Sequence, residues 1–346
     1  MRAIAAATAL ALAVGVVVAQ TTASSSPPPP RAIKVLVITM FAPEAEPWIV
    51  PLKLSQSVPV PGLPPESPAL RCNADDVCLM IAGMGHANVA ASTMAVALDP
   101  RLDLRRTWFL IAGIAGIDPA RGTTGSAAWA RYLVDFGIAH EIDAREMPKA
   151  WKSGFLGIMT KGPGEKPKLE YHTEVAQLDE KLLQKALALS RGAQLDDSDP
   201  ARAYRAHYRA APANLPPQVI QCDTLGGDTW WHGDRLGQHA REWTKLLTDG
   251  KGVYCTTQQE DNATYNALAR ATVAGRVDVK RLAVLRTGSN FDRPYPGQSA
   301  AASLLASTTG ASGGFGPATT NLYRVGGPLV ADIVAKWSVW QNGVPP

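Results

Sequence analysis

Continuous apolar, β-branched runs, each stopping at a glycine or a polar turn, recur along this chain, and they constrain its fold more than any other feature. The first is AIKVLVITMF over 32–41, followed by VCLMIAGMG over 77–85 and RTWFLIAGIAG over 106–116. GSAAWARYLVDFGIA over 125–139 reads as a fourth strand, and PQVIQCDTLGGD, KGVYCTTQQ and RLAVLRTGSN continue the series. A strand buried on both faces reads as an unbroken apolar run. Between the runs lie ANVAASTMAVAL, VAQLDEKLLQKALALS and EDNATYNALARATVAG, all of helical composition. In the second, Leu178, Leu182, Leu183 and Leu187 share one helical face. The third carries acidic residues in its first turn, which suits the helix dipole. This alternation predicts an α/β fold: a single domain with a mixed, largely parallel twisted sheet flanked by helices. Hydrophobic residues make up 46% and charged residues 18%, which excludes a disordered chain and a multi-span membrane protein. A net charge of +4 gives no case for nucleic acid as a partner.

The amino terminus is of another kind. Arg2 precedes an apolar run from Ala3 to Val18, and Val17-Val18-Ala19 offers small residues for cleavage. Residues 1–19 are therefore expected to be a secretory signal peptide cut after Ala19, leaving no membrane span and placing the protein in the periplasm or outside the cell. Residues 20–32, rich in Ser and Pro, read as an extended tether. The globular domain is expected over 33–340, with a polar, proline-punctuated surface insertion over 192–217. Export implies an oxidising compartment and hence disulfides among Cys72, Cys78, Cys222 and Cys255. Cys72 and Cys78 flank a turn-like insert, and Cys222 and Cys255 each end an apolar run. Three pairings are open.

Ligands in open α/β sheets bind beyond the carboxyl ends of the strands. Chemistry is therefore expected in MFAPEAEPW, GMGHANVA, GIAGIDP, GGDTWWHG, QQEDNAT and TGSNFDRP. Neither GxGxxG nor a P-loop stands at the right place, so no cofactor is expected. No metal-ligand spacing accompanies the histidines or cysteines, so no metal is expected either.

The order of these loops resembles the nucleoside phosphorylase and nucleosidase superfamily, and within it the purine nucleoside permease branch. GTTGSAAWARYLVDF, EIDAREMP, GGDTWWHG and YCTTQQEDNATYNAL carry the branch resemblance, which spans nearly all of the chain after the tether. GMGHANVAA is similar to the superfamily's Gly-x-Gly turn, which implies substrate contacts at Gly85 and His86. GIAG is similar to its next glycine turn and implies Ala115 and Gly116. The superfamily's Met-Glu pair, whose Glu binds ribose hydroxyls, corresponds to Gln259-Glu260. Its Arg-x-x-Ser-Asp segment, whose Asp bonds the purine, corresponds to Arg286-Thr287-Gly288-Ser289-Asn290, with Asn in place of Asp. A Glu after the first strand activates the attacking water in related nucleosidases, and Glu44 matches it by spacing. The resemblance also implies a homo-oligomer.

The residue types suit this chemistry. Cleaving an N-glycosidic bond leaves positive charge on the sugar and negative charge on the base. Glu260 can accept two hydrogen bonds from a ribose diol. Asn290 can read a purine edge but transfers protons poorly, so Asp292 or a water is the candidate proton donor, with Glu44 the candidate base. Ser289 and Asp228 are candidate polar contacts. One ring of the Trp230-Trp231 pair is expected to stack on the base, and Trp230 is the candidate. The resemblance implies that a phosphorylase would often carry Arg after the first strand or just before the third-strand glycine turn, and neither MFAPEAEPW nor FLIAGIAG has one. Arg71, Arg131 and Arg293 remain for a phosphate co-substrate, so hydrolysis is favoured over phosphorolysis. The expectation is an exported protein that cleaves purine nucleosides. The alternative is a non-catalytic nucleoside-binding component of transport.

Overall fold

A computed structural model describes residues 29–346; the expected signal peptide and most of the tether lie outside the described residues. The tether ends earlier than expected, because Arg31–Ala32 already pairs with Leu102–Asp103. One 12-stranded mixed sheet dominates. In chain order it contains β1 (Val35–Thr39), β2 (Gln56–Pro59), β3 (Ala69–Cys72), β4 (Val77–Ile81), β5 (Trp108–Ile117) and β6 (Ala127–Trp129). It continues with β7 (Tyr132–Asp135), β8 (Val175–Gln177), β9 (Val219–Gln221), β10 (Asp223–Gly226), β11 (Tyr254–Gln258) and β12 (Leu282–Phe291). The helices are α1 (Ala42–Ile49), α2 (His86–Leu98), α3 (Glu180–Ser190), α4 (Asp199–Arg205), α5 (Asp234–Leu247), α6 (Asp261–Val273), α7 (Ala300–Thr308) and α8 (Phe315–Ala335), with shorter turns besides.

The unbroken apolar runs are explained by two cores. Successive side chains of a strand point to opposite faces. Leu36 and Ile38 of β1, Met80 of β4, Phe109 and Ile111 of β5 and Val284 of β12 enter one core, beneath α2 and α6. Val35 and Val37, Leu79, Leu110 and Leu285 enter the other, beneath α1, α3 and α8. Each fully buried Leu or Ile contributes roughly 1.5–3 kcal/mol relative to exposure, so both faces must be covered for the sheet to persist.

β5 is the pivot. Its first half pairs in parallel with β1 on one side, and all but its first residue pairs in parallel with β12 on the other. Its last two residues turn to pair antiparallel with β11. β12 also pairs with β6, β6 with β9, β7 with β10, and β10 with β11. β6–β7 and β9–β10 are each one run with a break, so these pairings close a ring through β5, β12, β6–β7, β9–β10 and β11.

Three further sequence expectations need correction. The run over 125–139 is two strands, broken at Ala130-Arg131. The expected helix over 175–190 begins as β8, because Asp179 caps α3 by accepting from Leu182 N at 2.8 Å. The stretch over 192–217 is not simply a surface loop. It contains α4 and buries Arg205 and Tyr208. Asp197 holds Arg205 through two bonds at 2.6 and 2.7 Å, and Tyr208 packs on Phe291 at 4.0 Å between ring centroids. Of the three disulfide pairings, the structure has Cys72–Cys78, joining paired residues of β3 and β4, and Cys222–Cys255, tying the β9–β10 run to β11.

Candidate functional site

A cavity of about 340 Å³ opens at the carboxyl ends of β1, β5, β11 and β12. Ala115 and Gly116 of β5, Ser289 and Asn290 of β12, Glu44, Gln259, Glu260 and Trp230 all line it. Eight of the twelve sequence candidates thus meet in one space. A larger depression of about 880 Å³ lies between α5 and residues 150–166, and none of the candidates lines it.

Glu44 owes its place to the start of α1. Phe41 is the extended residue before the helix, Pro43 sits in the first turn, and Trp48, one turn on, is fully buried. That anchor turns Glu44 inward, whereas Glu46 is exposed. Glu44 Oε2 accepts Met40 N–H at 2.7 Å and Oε1 accepts Ile114 N–H at 2.7 Å. Burial lifts its pKa from 4.5 to about 7, against the pull of Arg286 and these two bonds. A carboxyl poised near neutrality can take or give a proton at physiological pH.

Glu260 precedes α6 but does not cap it. Its Oε1 accepts Gly85 N–H at 3.2 Å, and its Oε2 accepts from Gln259 N at 3.1 Å and from Arg286 Nη2 at 3.0 Å. Arg286, on β12, is fully buried. Its Nη2 also donates to Asp261 at 2.6 Å and its Nη1 to Ile114 O at 3.0 Å. Glu44, Glu260 and Asp261 therefore surround one guanidinium. Burial raises Asp261 as well, opposed by Arg286. Gly113 makes room for this cluster, since a Cβ there would lie 2.4 Å from Arg286 Nη1 and 3.1 Å from Glu44 Oε1.

On the opposite wall, a β-bulge shifts the β12–β5 register between Gly288 and Asn290. The extra residue breaks strict alternation and brings Ser289 and Asn290 together to the cavity. Ser289 Oγ donates to Asn290 Oδ1 at 3.0 Å, and Asn290 Nδ2 donates to Phe291 O at 2.9 Å. These bonds fix the amide and leave it one N–H and further acceptor capacity.

Asp292, the candidate proton donor, is not part of the lining. It is buried against Arg293, with bonds at 2.6 and 3.0 Å, and accepts Tyr254 OH at 2.7 Å. Gly85, His86 and Asp228 are also not part of the lining, and Asp228 is exposed. His86 N–H donates to Asp228 Oδ1 at 2.7 Å, and Gln259 Nε2 donates to Asp228 O at 2.5 Å. The tryptophan pair separates as its sequence suggests: Trp231 is 4% exposed in an aromatic cluster, whereas Trp230 is 51% exposed and faces the cavity. Arg71 is on the surface of β3, Arg131 pairs with Glu180 at 2.8 Å, and Arg293 is held by Asp292; none of the three lines the cavity.

Sequence reasoning missed Arg286 as a site residue, along with Phe41, Met84, Thr257 and the residues that α7 and α8 supply, Ser307, Thr308 and Phe315. Phe41 and Phe315 face each other at 6.2 Å between centroids. Arg286 stood inside the quoted motif. The others carried no signal beyond their position at a strand end or in a Gly/Ser-rich stretch. Among the described residues no group of three or more His, Cys, Asp or Glu side chains is placed to hold a metal ion, and no helix is long and apolar enough to cross a membrane.

Solved structures of the same fold include a Neisseria meningitidis 5′-methylthioadenosine/S-adenosylhomocysteine nucleosidase, at TM-score 0.52 and 15% identity, covering 86% of this chain and 98% of that one. A Helicobacter pylori futalosine hydrolase aligns at TM-score 0.51 and 12% identity, covering 87% and 98%. Sequence relatives are nearer. A Schizosaccharomyces pombe protein named "Probable purine nucleoside permease" is 38% identical over 319 residues, 89% of this chain and 90% of its own length. A Candida albicans purine nucleoside permease is 33% identical over 316 residues, 90% of this chain and 77% of its own. The profile of that family matches residues 32–345, from the first paired strand past the end of α8 and including every loop that builds the cavity. On that match and those identities, this chain belongs to the purine nucleoside permease (NUP) family.

Proposed function

We propose that the cavity binds a purine nucleoside and that the protein cleaves its N-glycosidic bond with water. One observation carries this reading: Glu44, Glu260, Ser289 and Asn290, drawn from three separate strand ends, face one cavity. Glu260 keeps lone pairs free for a ribose diol and so fixes the sugar. Glu44, as carboxylate, takes a proton from water while the water oxygen bonds the anomeric carbon. The base departs with the electron pair of the broken bond, its charge relieved by the Asn290 amide, and is then protonated by solvent. Phe41, Phe315 and Trp230 supply faces for stacking.

Hydrolysis is favoured over phosphorolysis by charge. Arg286 is engaged by Asp261, Glu260 and Ile114 O, and a phosphate beside it would meet two carboxylates. The two disulfides support export to the periplasm or beyond. A second reading, a nucleoside-binding component of transport, is favoured by the names of the relatives and by the absence of a titratable group at position 290.

Incubating the mature protein with inosine or adenosine, with and without phosphate, and quantifying free base decides among these. Free base in both conditions is expected. Free base only with phosphate makes it a phosphorylase. Binding without product establishes the second reading, and no binding overturns both.

A further inference from the structure

Three chain segments meet at the mouth of the cavity: the turn before α2, the loop after β10 and the turn before α6. Helix α2 is preceded by Gly85, which has no side chain to cap it. Its first N–H, on His86, is instead bonded at 2.7 Å by the carboxylate of Asp228, which arrives from the loop after β10. An anion there also meets the positive end of the helix dipole. The approach needs glycine at 85, where φ is +88° and a Cβ would sit 3.2 Å from Asp228 Oδ1. From the third segment, Gln259 Nε2 donates to Asp228 O at 2.5 Å. The resemblance places Met in this slot, a residue with no proton to donate. On its far side the loop is anchored by Trp231, whose ring packs on Phe136 at 5.7 Å and Tyr254 at 6.2 Å. Trp230 lies between the two anchors, half-exposed, with its ring in the cavity wall.

We propose that Asp228 and Gln259 form a latch across the cavity mouth that holds Trp230 in place, so that Asp228 sets nucleoside affinity through Trp230 rather than by touching the ligand. This rests on the reading of the cavity as a nucleoside site. Asp228 is a positioning residue, and the Gln259 side chain, where Met is expected, supplies the second half of the latch. Both bonds are solvent-exposed, so they are weak enough to open and close as ligand passes.

Inosine binding and turnover are measured for Asp228→Ala, Asp228→Asn, Gln259→Met, Trp230→Ala and the double variant Asp228→Ala/Trp230→Ala. Asp228→Ala should raise Kd and KM about tenfold, the loss of roughly one net hydrogen bond and a dipole contact, with kcat falling less than about threefold. Asp228→Asn keeps an acceptor for His86 N–H and should recover part of the loss. Gln259→Met should move Kd in the same direction by less. Because Asp228 acts through Trp230, the double variant should bind no more weakly than Trp230→Ala alone; additive losses overturn the proposal. Amide hydrogen exchange on the ligand-free protein is the second arm. Faster exchange at 84–89 and 228–232 in Asp228→Ala, or in Gln259→Met should the first variant not fold, supports the latch, and unchanged exchange overturns it. If the wild type binds no nucleoside, the reading of the cavity fails while the exchange arm still decides the latch.

Discussion

Two arginines, Arg286 and Arg293, lie buried among carboxylates at the carboxyl ends of β5 and β12, and they do different things. Arg293 bonds Asp292, reaches Asp118 at 3.5 Å, and shares Asp118 with Arg241 of α5, which bonds it at 2.6 and 2.7 Å. Two arginines meet two aspartates there, with the Tyr254 hydroxyl on Asp292, and the group clamps α5 to the strand ends. Around Arg286 the balance is broken: Glu44, Glu260 and Asp261 share one cation, and two of those three carboxylates face the cavity. Burial lifts Glu44 to about 7, and the neighbouring Glu260 carboxylate adds to that in the same direction. Burial raises Asp292 and Glu44 alike; the one locked behind the wall serves a clamp, and the one that faces the cavity can exchange protons with a ligand.

The comparison is broken most severely at its centre. Arg286→Met strands buried carboxylates and should destabilise the fold by about 3–5 kcal/mol in denaturant titration, with loss of nucleoside binding. Glu44→Gln should instead leave the thermal midpoint within a few degrees and lower turnover on the order of 10²–10⁴-fold; a smaller fall would remove Glu44 from the chemistry. Asp292→Asn should show the reverse pattern, losing about 1–3 kcal/mol of stability while turnover stays within about threefold. A large loss of turnover there would return Asp292 to the site.

The smallest effect sharpens the same contrast through pH. Glu44 acts as a base, so kcat/KM should rise with pH through about 7. Stability should move the other way. The folded pKa of Glu44 is raised above its ordinary 4.5, so its favourable contribution is complete below that value and is lost as pH climbs through about 7. The thermal midpoint of the wild type should therefore decline between pH 5 and 8 relative to Glu44→Gln. Parallel profiles would assign the raised pKa to another group.

Much of the sheet was legible because strands buried on both faces leave unbroken apolar runs, and β1, β4, β5 and β12 are all of that kind. Glu44 and Glu260 were legible because strand ends in such sheets face ligands. Asp292 was misplaced because it was judged by its distance from Asn290, and the bulge at Ser289 that sets which residues face the cavity has no compositional mark. α8 was hidden because STTGASGGFGPATT opens with turn residues and Gly326, Gly327 and Pro328 interrupt its interior. α5 was overlooked although its apolar positions Leu236, Ala240, Trp243 and Leu247 recur at helical spacing. Phe41 and Phe315 are far apart in sequence, and only packing brings them together.

β5 has a mechanical consequence. β12 pairs with all but its first residue along one edge, and β1 and β11 hold the two ends of the other, so it is held against slipping. Ala115 and Gly116 at its tip are a fixed datum, an immobile floor under whatever occupies the cavity. The opposite side is built of pieces held from outside: Trp230 on its loop, and α7, in which Ser303 alone is buried. A guest too long or too bulky must be accommodated upward, by yielding of those outer pieces, so tolerance for varied substituents is expected toward solvent and strictness toward the sheet.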